Sequence, residues 1–427
     1  MKKNLMQEFG GEKTCRAVLI GLNTGGADPL LATDDQSIAE LRGLLDTAGG
    51  ECVGVLVQNR SFAESRTLLG EGKVQELKEA CLALEADLIV CDNELSPVQI
   101  KNLEQDTDVR VIDRSMLILD IFALHAVTGE GKLQVELAQL KYTMPRLMGK
   151  GLELSRLGGG IGTRGPGETQ LETDRRHLKR KIAALREQLD EVVRNRGVQR
   201  KLREQSGVMQ VAVVGYTNAG KSSLMNALTG AGILAENKLF ATLDTTTKKL
   251  RTPGGQDLLL TDTVGFIDKL PHHLVEAFRS TLEEAVFADV LLEVIDASDP
   301  RQIFQYEVTN KVLDELGAAG KPRVVVLNKC DLPLPEEELR LRVPGMLCVS
   351  ASTGSGLEQL LQELEAQCLK GRRVMRVLLP YAQGSLVDLL HKNGCVRTME
   401  YRDEGIFLDL LCEPAIAGKV EKYSVEG

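Results

Sequence analysis

The stretch GYTNAGKS, from Gly215 to Ser222, matches the pattern GxxxxGK followed by Ser or Thr. The apolar run VMQVAVV precedes it and SLMNALTG continues it with helical spacing, so the sequence predicts a strand, a glycine loop and a helix. In such a loop, backbone N–H groups wrap phosphate oxygens, helped by the positive end of the helix. We predict a phosphate loop made of Gly215, Tyr216, Thr217, Asn218, Ala219, Gly220, Lys221 and Ser222.

Two residues of this loop, and residues at the end of a second strand, are predicted to contact the phosphates and magnesium. Lys221, a catalytic candidate, would reach the β- and γ-phosphates, and Ser222 would ligate magnesium. The apolar run LLLT leads to Asp262, which can hold the metal through water, and the N–H of Gly265, a second catalytic candidate, can sense the γ-phosphate. The predicted segment consists of Asp262, Thr263, Val264 and Gly265.

Two further strand ends predict which base is bound. VVVLNKCD ends with Asn328, Lys329, Cys330 and Asp331. The Asp331 carboxylate can accept hydrogen bonds from N1–H and the 2-amine of guanine, whereas adenine would leave it unpaired. The run LCVSAS ends with Ser350, Ala351 and Ser352, which would supply a backbone N–H to the guanine carbonyl. The four segments together predict a GTP site.

The segment KLFATLDTTTKKL lies between the phosphate loop and Asp262, and we expect it to be mobile. Thr242 could complete the magnesium shell when the γ-phosphate is present, and its release after hydrolysis would make a switch. Thr245, Thr246 and Thr247 are alternatives, and spacing alone does not choose among them.

The residues before the phosphate loop predict a separate sheet. RAVLIGL, CVGVLVQNR, DLIVCD and DVRVID, between residue 15 and about residue 127, alternate with amphipathic stretches, which is typical of a small parallel sheet with helices. GEGKVQEL, from Gly70 to Leu77, resembles a phosphate loop, but Val74 stands where Ser or Thr would hold magnesium. We favour a turn into a helix there.

Two apolar seams with heptad spacing flank a glycine-rich stretch. The spacing predicts an antiparallel helical hairpin, with Pro145 ending or kinking the first helix near Met144, and with Thr169 or Thr173 capping the second. The seam residues are Leu133, Leu137, Leu140, Met144 and Leu147 in the first helix, and Leu178, Ile182, Leu185, Leu189 and Val192 in the second.

In the stretch GGGIGTRGPGETQLETDRR, from Gly158 to Arg176, the six glycines between Gly158 and Gly167 would form the tip of this hairpin. Between Lys132 and Gln205 there are 17 Lys/Arg and 9 Asp/Glu, whereas the whole chain has a net charge of -9. Glycine lets backbone approach a partner closely, and the positive charges suit phosphate. The charges near the tip are Arg156, Arg164, Arg175, Arg176, Lys179, Arg180 and Lys181.

Composition restricts the environment. The 427 residues include nine cysteines without a CxxC pair, which indicates reduced thiols in a cytoplasm and argues against a disulfide framework or a zinc site. The first residues lack the apolar core of a signal peptide, and no apolar run is long enough to span a membrane. We expect a monomer, although a hairpin seam can pair within one chain or between chains.

Taken together, the phosphate loop, FATLD, DTVGF, NKCD, SAS and the glycine-rich stretch resemble the HflX family of ribosome-associated GTPases. The resemblance implies that Phe240, Ala241, Thr242, Leu243 and Asp244 form the switch segment, which favours Thr242 for magnesium. It also implies that the hairpin tip approaches RNA of the large ribosomal subunit, and that the protein splits stalled ribosomes. The sequence of residues 371–427 predicts a strand, a helix, a hairpin and a short helix. A C-terminal domain of this kind occurs in some members of the family.

Phe266 follows DTVG, where many GTPases carry a glutamine that orients the attacking water. Phenylalanine cannot hydrogen-bond this water, so we expect the isolated protein to hydrolyse GTP to GDP slowly and a partner to stimulate hydrolysis. An alternative interpretation is that Phe266 serves only to pack against its neighbours, which is compatible with the same outcome. In related GTPases, an asparagine at the position of Asn218 helps to coordinate potassium, so K⁺ is a second candidate cofactor beside Mg²⁺.

The sequence therefore predicts an α/β protein with four domains. These are an N-terminal α/β domain (1–130), a basic helical hairpin (131–206), a P-loop GTPase domain (207–370) and an α+β C-terminal domain (371–427). The leading hypothesis is a GTPase that acts on ribosomes. The alternatives are a GTPase of tRNA modification or RNA maturation, and a GTP-regulated scaffold.

Overall fold

A computed structural model of the chain divides into two compact units. The first comprises residues 1–189, 236–244 and 268–279, and the second comprises residues 190–235, 245–267 and 280–427. The structure describes residues 14–25, 32–147, 166–205, 208–230, 232, 238–243, 245–269, 279–370, 373–392, 396–412 and 414–425. Among these residues, no helix is both long enough and apolar enough to cross a membrane.

The first unit contains the predicted parallel sheet. Its four strands lie in the order β2-β1-β3-β4, and all three pairings are parallel. Apolar residues of β1, β3 and β4 are buried, as expected for a parallel sheet, whereas Val55 of the edge strand β2 is exposed. The strands are β1 (Cys15–Asn23), β2 (Gly50–Asn59), β3 (Leu88–Cys91) and β4 (Arg110–Asp113).

Helices connect these strands, and local capping fixes where several of them begin. The Asp34 carboxylate accepts from the N–H of Ser37, and Ser96 and Gln99 form a reciprocal capping box. GEGKVQEL is a turn into a helix, as predicted, with Gly70 at the N-cap. The helices are α1 (Asp35–Thr47), α2 (Glu71–Ala83), α3 (Pro97–Thr107) and α4 (Arg114–His125).

The predicted hairpin seam is confirmed. Helix α5 spans Gly129–Leu147 and helix α6 spans Pro166–Gln205. Apolar residues of the two helices form one cluster, and Lys181 pairs with Glu136 at 2.5 Å beside it. The cluster consists of Leu133, Leu137, Leu140, Met144, Ile182, Leu185 and Leu189. Leu178 and Val192 are partly buried and lie outside this cluster. Residues 158–165 of the glycine-rich tip, together with Arg156 and Arg164, lie outside the described residues.

The ends of these helices differ from those predicted. Helix α5 does not end at Met144 but continues through Pro145 to Leu147, because a proline near the end of a helix removes only one N–H. Helix α6 begins at Pro166, so Thr169 and Thr173 lie inside the helix and do not cap it. Proline is well suited to the first helical position, where its missing N–H costs nothing.

A buried ion network in the first unit holds a segment that lies far away in sequence. Lys269 donates to Asp92 at 2.7 Å, and Arg114 donates to Asp92 at 3.0 Å, to Glu40 and to the carbonyl of Asp268. Burial alone would raise the pKa of Asp92, but the two cations outweigh it and lower the pKa. Residues 268 and 269 come two and three residues after DTVGF (262–266). The ion network therefore holds them within the first unit.

The second unit is built on a six-stranded sheet in the order β10-β9-β8-β5-β7-β6, parallel except for edge strand β6. Its strands are β5 (Met209–Gly215), β6 (Thr246–Arg251), β7 (Asp257–Asp262), β8 (Val290–Asp296), β9 (Arg323–Asn328) and β10 (Leu347–Cys348). Its helices are α7 (Lys221–Thr229), α8 (Arg279–Phe287), α9 (Gln302–Glu315) and α10 (Leu357–Leu369).

The end of the chain adds a three-stranded antiparallel sheet to the second unit, in the order β11-β13-β12. The predicted order of a strand, a helix, a hairpin and a short helix is confirmed. The elements are β11 (Arg373–Leu379), α11 (Gly384–Lys392), β12 (Val396–Arg402), β13 (Gly405–Cys412) and α12 (Pro414–Val420).

One carboxyl group lies inside the second unit without a hydrogen bond. Glu293 of β8 is fully buried, and neither of its oxygens has a hydrogen-bond partner among the described residues. The Nη1 of Arg323 stays 3.7 Å from Oε2 and donates instead to Asn310. Burial raises the pKa of Glu293 from 4.5 to about 7, and Arg323 opposes this rise only in part.

We predict that Glu293→Gln stabilises the protein at alkaline pH. The folded state holds the proton of Glu293 more tightly than the unfolded state does. Ionisation of this carboxyl therefore lowers the free energy of unfolding progressively from pH 4.5 upward, and the loss levels off above pH 7. The free energy of unfolding, measured by chemical denaturation, should rise on substitution by on the order of 2 kcal/mol more at pH 8 than at pH 5. Glu338→Gln, at an exposed site, is the control. An equal effect of Glu293→Gln at both pH values would contradict this account.

Candidate nucleotide site

The phosphate loop connects β5 to α7 with two residues in left-handed backbone. Gly220, the N-cap of α7, has φ +88° and Asn218 has φ +61°. A Cβ at Gly220 would lie 2.3 Å from Nδ2 of Asn328, so only glycine fits both the conformation and the space.

The Lys221 side chain is folded back onto its own loop. Its Nζ donates to the carbonyls of Gly215 at 3.2 Å and Tyr216 at 2.8 Å, and the residue is only 7% exposed. Burial lowers the pKa of Lys221 from 10.5 to about 8, against the opposing effect of Asp262. An arriving phosphate would favour the charged ammonium, since an anion nearby raises the pKa of a lysine.

The side-chain oxygens of Ser222, at the start of α7, and Asp262, at the end of β7, lie side by side. The Ser222 hydroxyl donates to Oδ2 of the fully buried Asp262 at 2.6 Å, and the Thr263 hydroxyl donates to the carbonyl of Val213 at 2.7 Å. Hydroxyl and carboxylate oxygens suit Mg²⁺, which is usually held by few protein ligands together with substrate phosphates. The described residues contain no group of three or more acidic, His or Cys side chains that could hold a metal without a substrate.

Gly265 and Phe266 lie directly against the phosphate loop. A Cβ at Gly265 would come within 2.6 Å of the Thr217 Cα and 2.7 Å of the Lys221 Nζ. The N–H of Thr217 donates to the carbonyl of Phe266 at 2.7 Å, and the N–H of Phe266 donates to the carbonyl of Gly215 at 3.1 Å. The Phe266 side chain is buried, so it packs, and it offers no hydrogen bond to a water molecule.

The side chains of Asn328 and Lys329 join the phosphate loop to the neighbouring strand ends. The Asn328 amide donates to the carbonyl of Ala219 at 3.0 Å and accepts from the N–H of Ala351 at 3.1 Å. The Lys329 ammonium donates to the carbonyl of Asn218 at 3.0 Å and to Asp296 at 2.6 Å. Sequence reasoning missed Asp296, although a polar residue at the carboxyl end of a parallel strand was the available signal.

The carboxylate of Asp331 is held by two hydroxyl groups. Ser350 donates to Oδ1 at 2.6 Å and Ser352 donates to Oδ2 at 2.9 Å. These hydrogen bonds, that of Ser350 first, lower the pKa of Asp331. The carboxylate is thus ionised, oriented and able to accept further hydrogen bonds through its remaining lone pairs.

The predicted switch segment belongs to the first unit. Phe240 is buried with φ +57°, and its ring lies edge-on to that of Phe122 at 4.8 Å. Ala241, Thr242 and Leu243 follow it, and Asp244 lies outside the described residues. Of the alternatives to Thr242, Thr246 and Thr247 lie in strand β6 of the second unit, where the Thr247 hydroxyl contacts that of Thr261 at 3.0 Å.

The loop between β5 and α7, together with the aligned ends of β7, β9 and β10, defines this unit as a P-loop GTPase domain. Three family models match the chain in succession. They are described as GTP-binding GTPase N-terminal (residues 35–123), GTP-binding GTPase middle region (125–203) and 50S ribosome-binding GTPase (210–329).

The chain belongs to the HflX family of GTPases. It is 48% identical over 395 residues to GTPase HflX of Lacrimispora saccharolytica, covering 92% of each chain. It is 44% identical to GTPase HflX of Escherichia coli K12, covering 87% of this chain and 88% of that one. The family membership and the P-loop domain identify an enzyme that hydrolyses GTP.

Solved structures also resemble the chain. The GDP complex of a GTP-binding protein from Sulfolobus solfataricus is 24% identical, covers 84% of this chain and 99% of its own, and has a TM-score of 0.43. Era of Aquifex aeolicus bound to GDP and aluminium fluoride is 25% identical over 37% of this chain, with a TM-score of 0.30.

We predict that Gly265→Ala impairs nucleotide binding without unfolding the protein. The added methyl group would push against the backbone of Thr217 and the ammonium of Lys221. Affinity for a fluorescent GTP analogue should fall at least about tenfold, or ~1.4 kcal/mol. Gly320→Ala, where a Cβ meets nothing within 4 Å, is the control and should bind as the parent does. Parental affinity in Gly265→Ala, at parental circular dichroism, would contradict this assignment.

Proposed function

We propose that GTP binds along the carboxyl edge of the second unit's sheet. The observation that carries this proposal is the pair of hydrogen bonds by which Asn328 ties the phosphate loop to Ala351, because they hold the phosphate end and the base end in one frame. Residues 215–222 would wrap the phosphates, with Lys221 on the β- and γ-phosphates and the N–H of Gly265 sensing the γ-phosphate. Thr263 and Val264 would hold Gly265 in place, and Lys329 and Cys330 would lie beside the base.

Magnesium would be held by Ser222 and Thr242 directly and by Asp262 through water. The 2.6 Å contact between the Ser222 hydroxyl and the Asp262 carboxylate supports this part of the proposal, because both are hard oxygen ligands. The bound ion would neutralise charge on the phosphates. We further propose that Phe240–Leu243 and Asp244 form the switch segment, which would respond to loss of the γ-phosphate.

Asp331 would select guanine, with Ser350 and Ser352 orienting its carboxylate and Ala351 offering its N–H to the guanine carbonyl. Asp331→Asn should therefore weaken binding of GTP and admit xanthosine triphosphate, whose 2-carbonyl can pair with an amide donor. Competition between the two nucleotides for a fluorescent analogue measures the change. Ser355→Ala, nearby on the same loop, is the matched control. If Asp331→Asn binds GTP as tightly as the parent, Asp331 does not read guanine.

We propose that the large ribosomal subunit and its RNA are the partner of this GTPase. The description of the model matching residues 210–329, a 50S ribosome-binding GTPase, supports this proposal. Four exposed cationic side chains on α6 also support it, namely Arg175, Arg176, Lys179 and Arg180. The glycine-rich tip would approach RNA closely while these cations meet phosphates, and the bound protein would split or rescue stalled ribosomes.

Hydrolysis should be slow alone and faster on the ribosome. Phe266 offers no hydrogen bond to water, so we expect purified large subunits to raise kcat at least about tenfold, or ~1.4 kcal/mol of transition-state stabilisation. Multiple-turnover phosphate release, with and without large subunits, measures this ratio. Replacing sodium by potassium in the same assay tests the proposed K⁺ role of Asn218. Rapid hydrolysis that ribosomes do not change would rule out this part of the proposal.

Shortening the glycine-rich tip should separate the two activities. Shortening the tip between Gly158 and Gly167 leaves the GTP-site residues untouched, so nucleotide affinity should stay at the parental value. Ribosome splitting, followed by light scattering, should be lost. Alanine at Arg175, Arg176, Lys179 and Arg180 should instead weaken subunit binding and flatten its salt dependence, since fewer counterions are released. Parental splitting by the shortened protein would mean that the glycines are only a connection.

Two other functions remain as alternatives, a GTPase of tRNA modification or RNA maturation and a GTP-regulated scaffold. The basic hairpin would then contact another RNA or a protein. We also propose that the chain has four domains, with boundaries at residues 130, 206 and 370. We further propose that the protein is cytoplasmic and monomeric.

A further inference from the structure

Two cysteines are neighbours at the base end of the GTP site. The Cα of Cys348, at the end of β10, is paired with Leu327 of β9, so both side chains point to the same face of the sheet. Cys330 packs against the buried cluster on that face, to which Leu327 belongs. The N–H of Cys330 also donates to the carbonyl of Val349, the residue after Cys348, at 3.2 Å. Backbone pairing and side-chain direction therefore bring the two thiols together.

The two thiols differ in access to solvent. Cys348 is the exposed cysteine among those the structure describes, whereas Cys330 is half-buried and its Sγ donates to the carbonyl of Leu327 at 3.2 Å. Burial first, and the adjoining Cys348 thiol second, raise the pKa of Cys330 to about 11. A small oxidant therefore meets Cys348 first, since exposure and thiolate character govern cysteine oxidation.

We propose that Cys348 and Cys330 are a reversible oxidation site for hydroperoxides, and that the resulting disulfide weakens GTP binding. The Cys348 thiolate attacks a peroxide oxygen, so that an S–O bond forms, the O–O bond breaks and water leaves after protonation. The Cys330 thiolate then attacks the sulfenic sulfur, forming the S–S bond and releasing a second water. In total, two thiols lose two electrons and two protons, and hydrogen peroxide is reduced to two water molecules.

The position of Cys330 connects this chemistry to nucleotide binding. Cys330 stands between Lys329, which holds the phosphate loop through Asn218, and Asp331, whose carboxylate is aligned by Ser350. An S–S bond is only about 2.05 Å long, so closing it draws Cys330 toward β10. That movement turns Asp331 away from its aligned position. The loss of affinity rests on the proposed role of Asp331, whereas formation of the disulfide does not.

The test uses the reduced full-length protein treated with hydrogen peroxide. Peptide mapping by mass spectrometry should find a Cys330–Cys348 cross-link. Affinity for a fluorescent GTP analogue should fall at least about tenfold and recover after dithiothreitol. Cys348→Ser should bind GTP as the reduced parent does and should keep that affinity in peroxide. Cys52→Ser, which removes a partly buried cysteine of the N-terminal sheet, should respond to peroxide as the parent does.

Two results would overturn the proposal. One is oxidation of Cys348 to sulfenic or sulfinic acid without a cross-link to Cys330. The other is a stoichiometric cross-link with unchanged GTP affinity. If Asp331→Asn binds GTP as the parent does, the proposed role of Asp331 in guanine recognition is wrong. The peptide map then still decides independently whether the Cys330–Cys348 disulfide forms.

Discussion

The hydrogen bonds of the Asn328 amide are the constraint on which the rest of the nucleotide site depends. Asn328 is buried, and its two amide atoms bind the carbonyl of Ala219 and the N–H of Ala351. Because a buried amide without partners costs free energy, this side chain fixes two loops at once. It also leaves no space for a side chain at Gly220, which explains why that position of the loop is glycine.

Charge is arranged around this frame so that the site is held ready for an anion. Lys221 and Lys329 both donate to backbone carbonyls of the phosphate loop, and the pKa of Lys221 is lowered mainly by burial. Phosphate oxygens are better acceptors than these neutral carbonyls, since a hydrogen bond between charged groups is about twice as strong. In the proposed complex, phosphate oxygens would replace these weak contacts of the Lys221 ammonium with strong ones.

The sequence was most informative where one local rule determines the structure. Heptad spacing identified the seam between α5 and α6, and alternating apolar runs identified the parallel sheet of the first unit. Helix ends were predicted less well, because Pro145 and Pro166 each suit a position that the apolar pattern does not reveal. The contact of Lys269 with Asp92, 177 residues apart, and that of Lys329 with Asp296 arise from chain topology, which no local pattern contains.

We propose that the large ribosomal subunit is the partner of this GTPase, and a switch segment that responds to the γ-phosphate should make this binding depend on the nucleotide. Cosedimentation of the full-length protein with separately purified large and small subunits tests it most directly, with GDP or a non-hydrolysable GTP analogue present. We predict that the protein pellets with large subunits in the analogue, much less in GDP, and not with small subunits in either nucleotide. Equal pelleting in both nucleotides, or no pelleting with large subunits, would contradict the account.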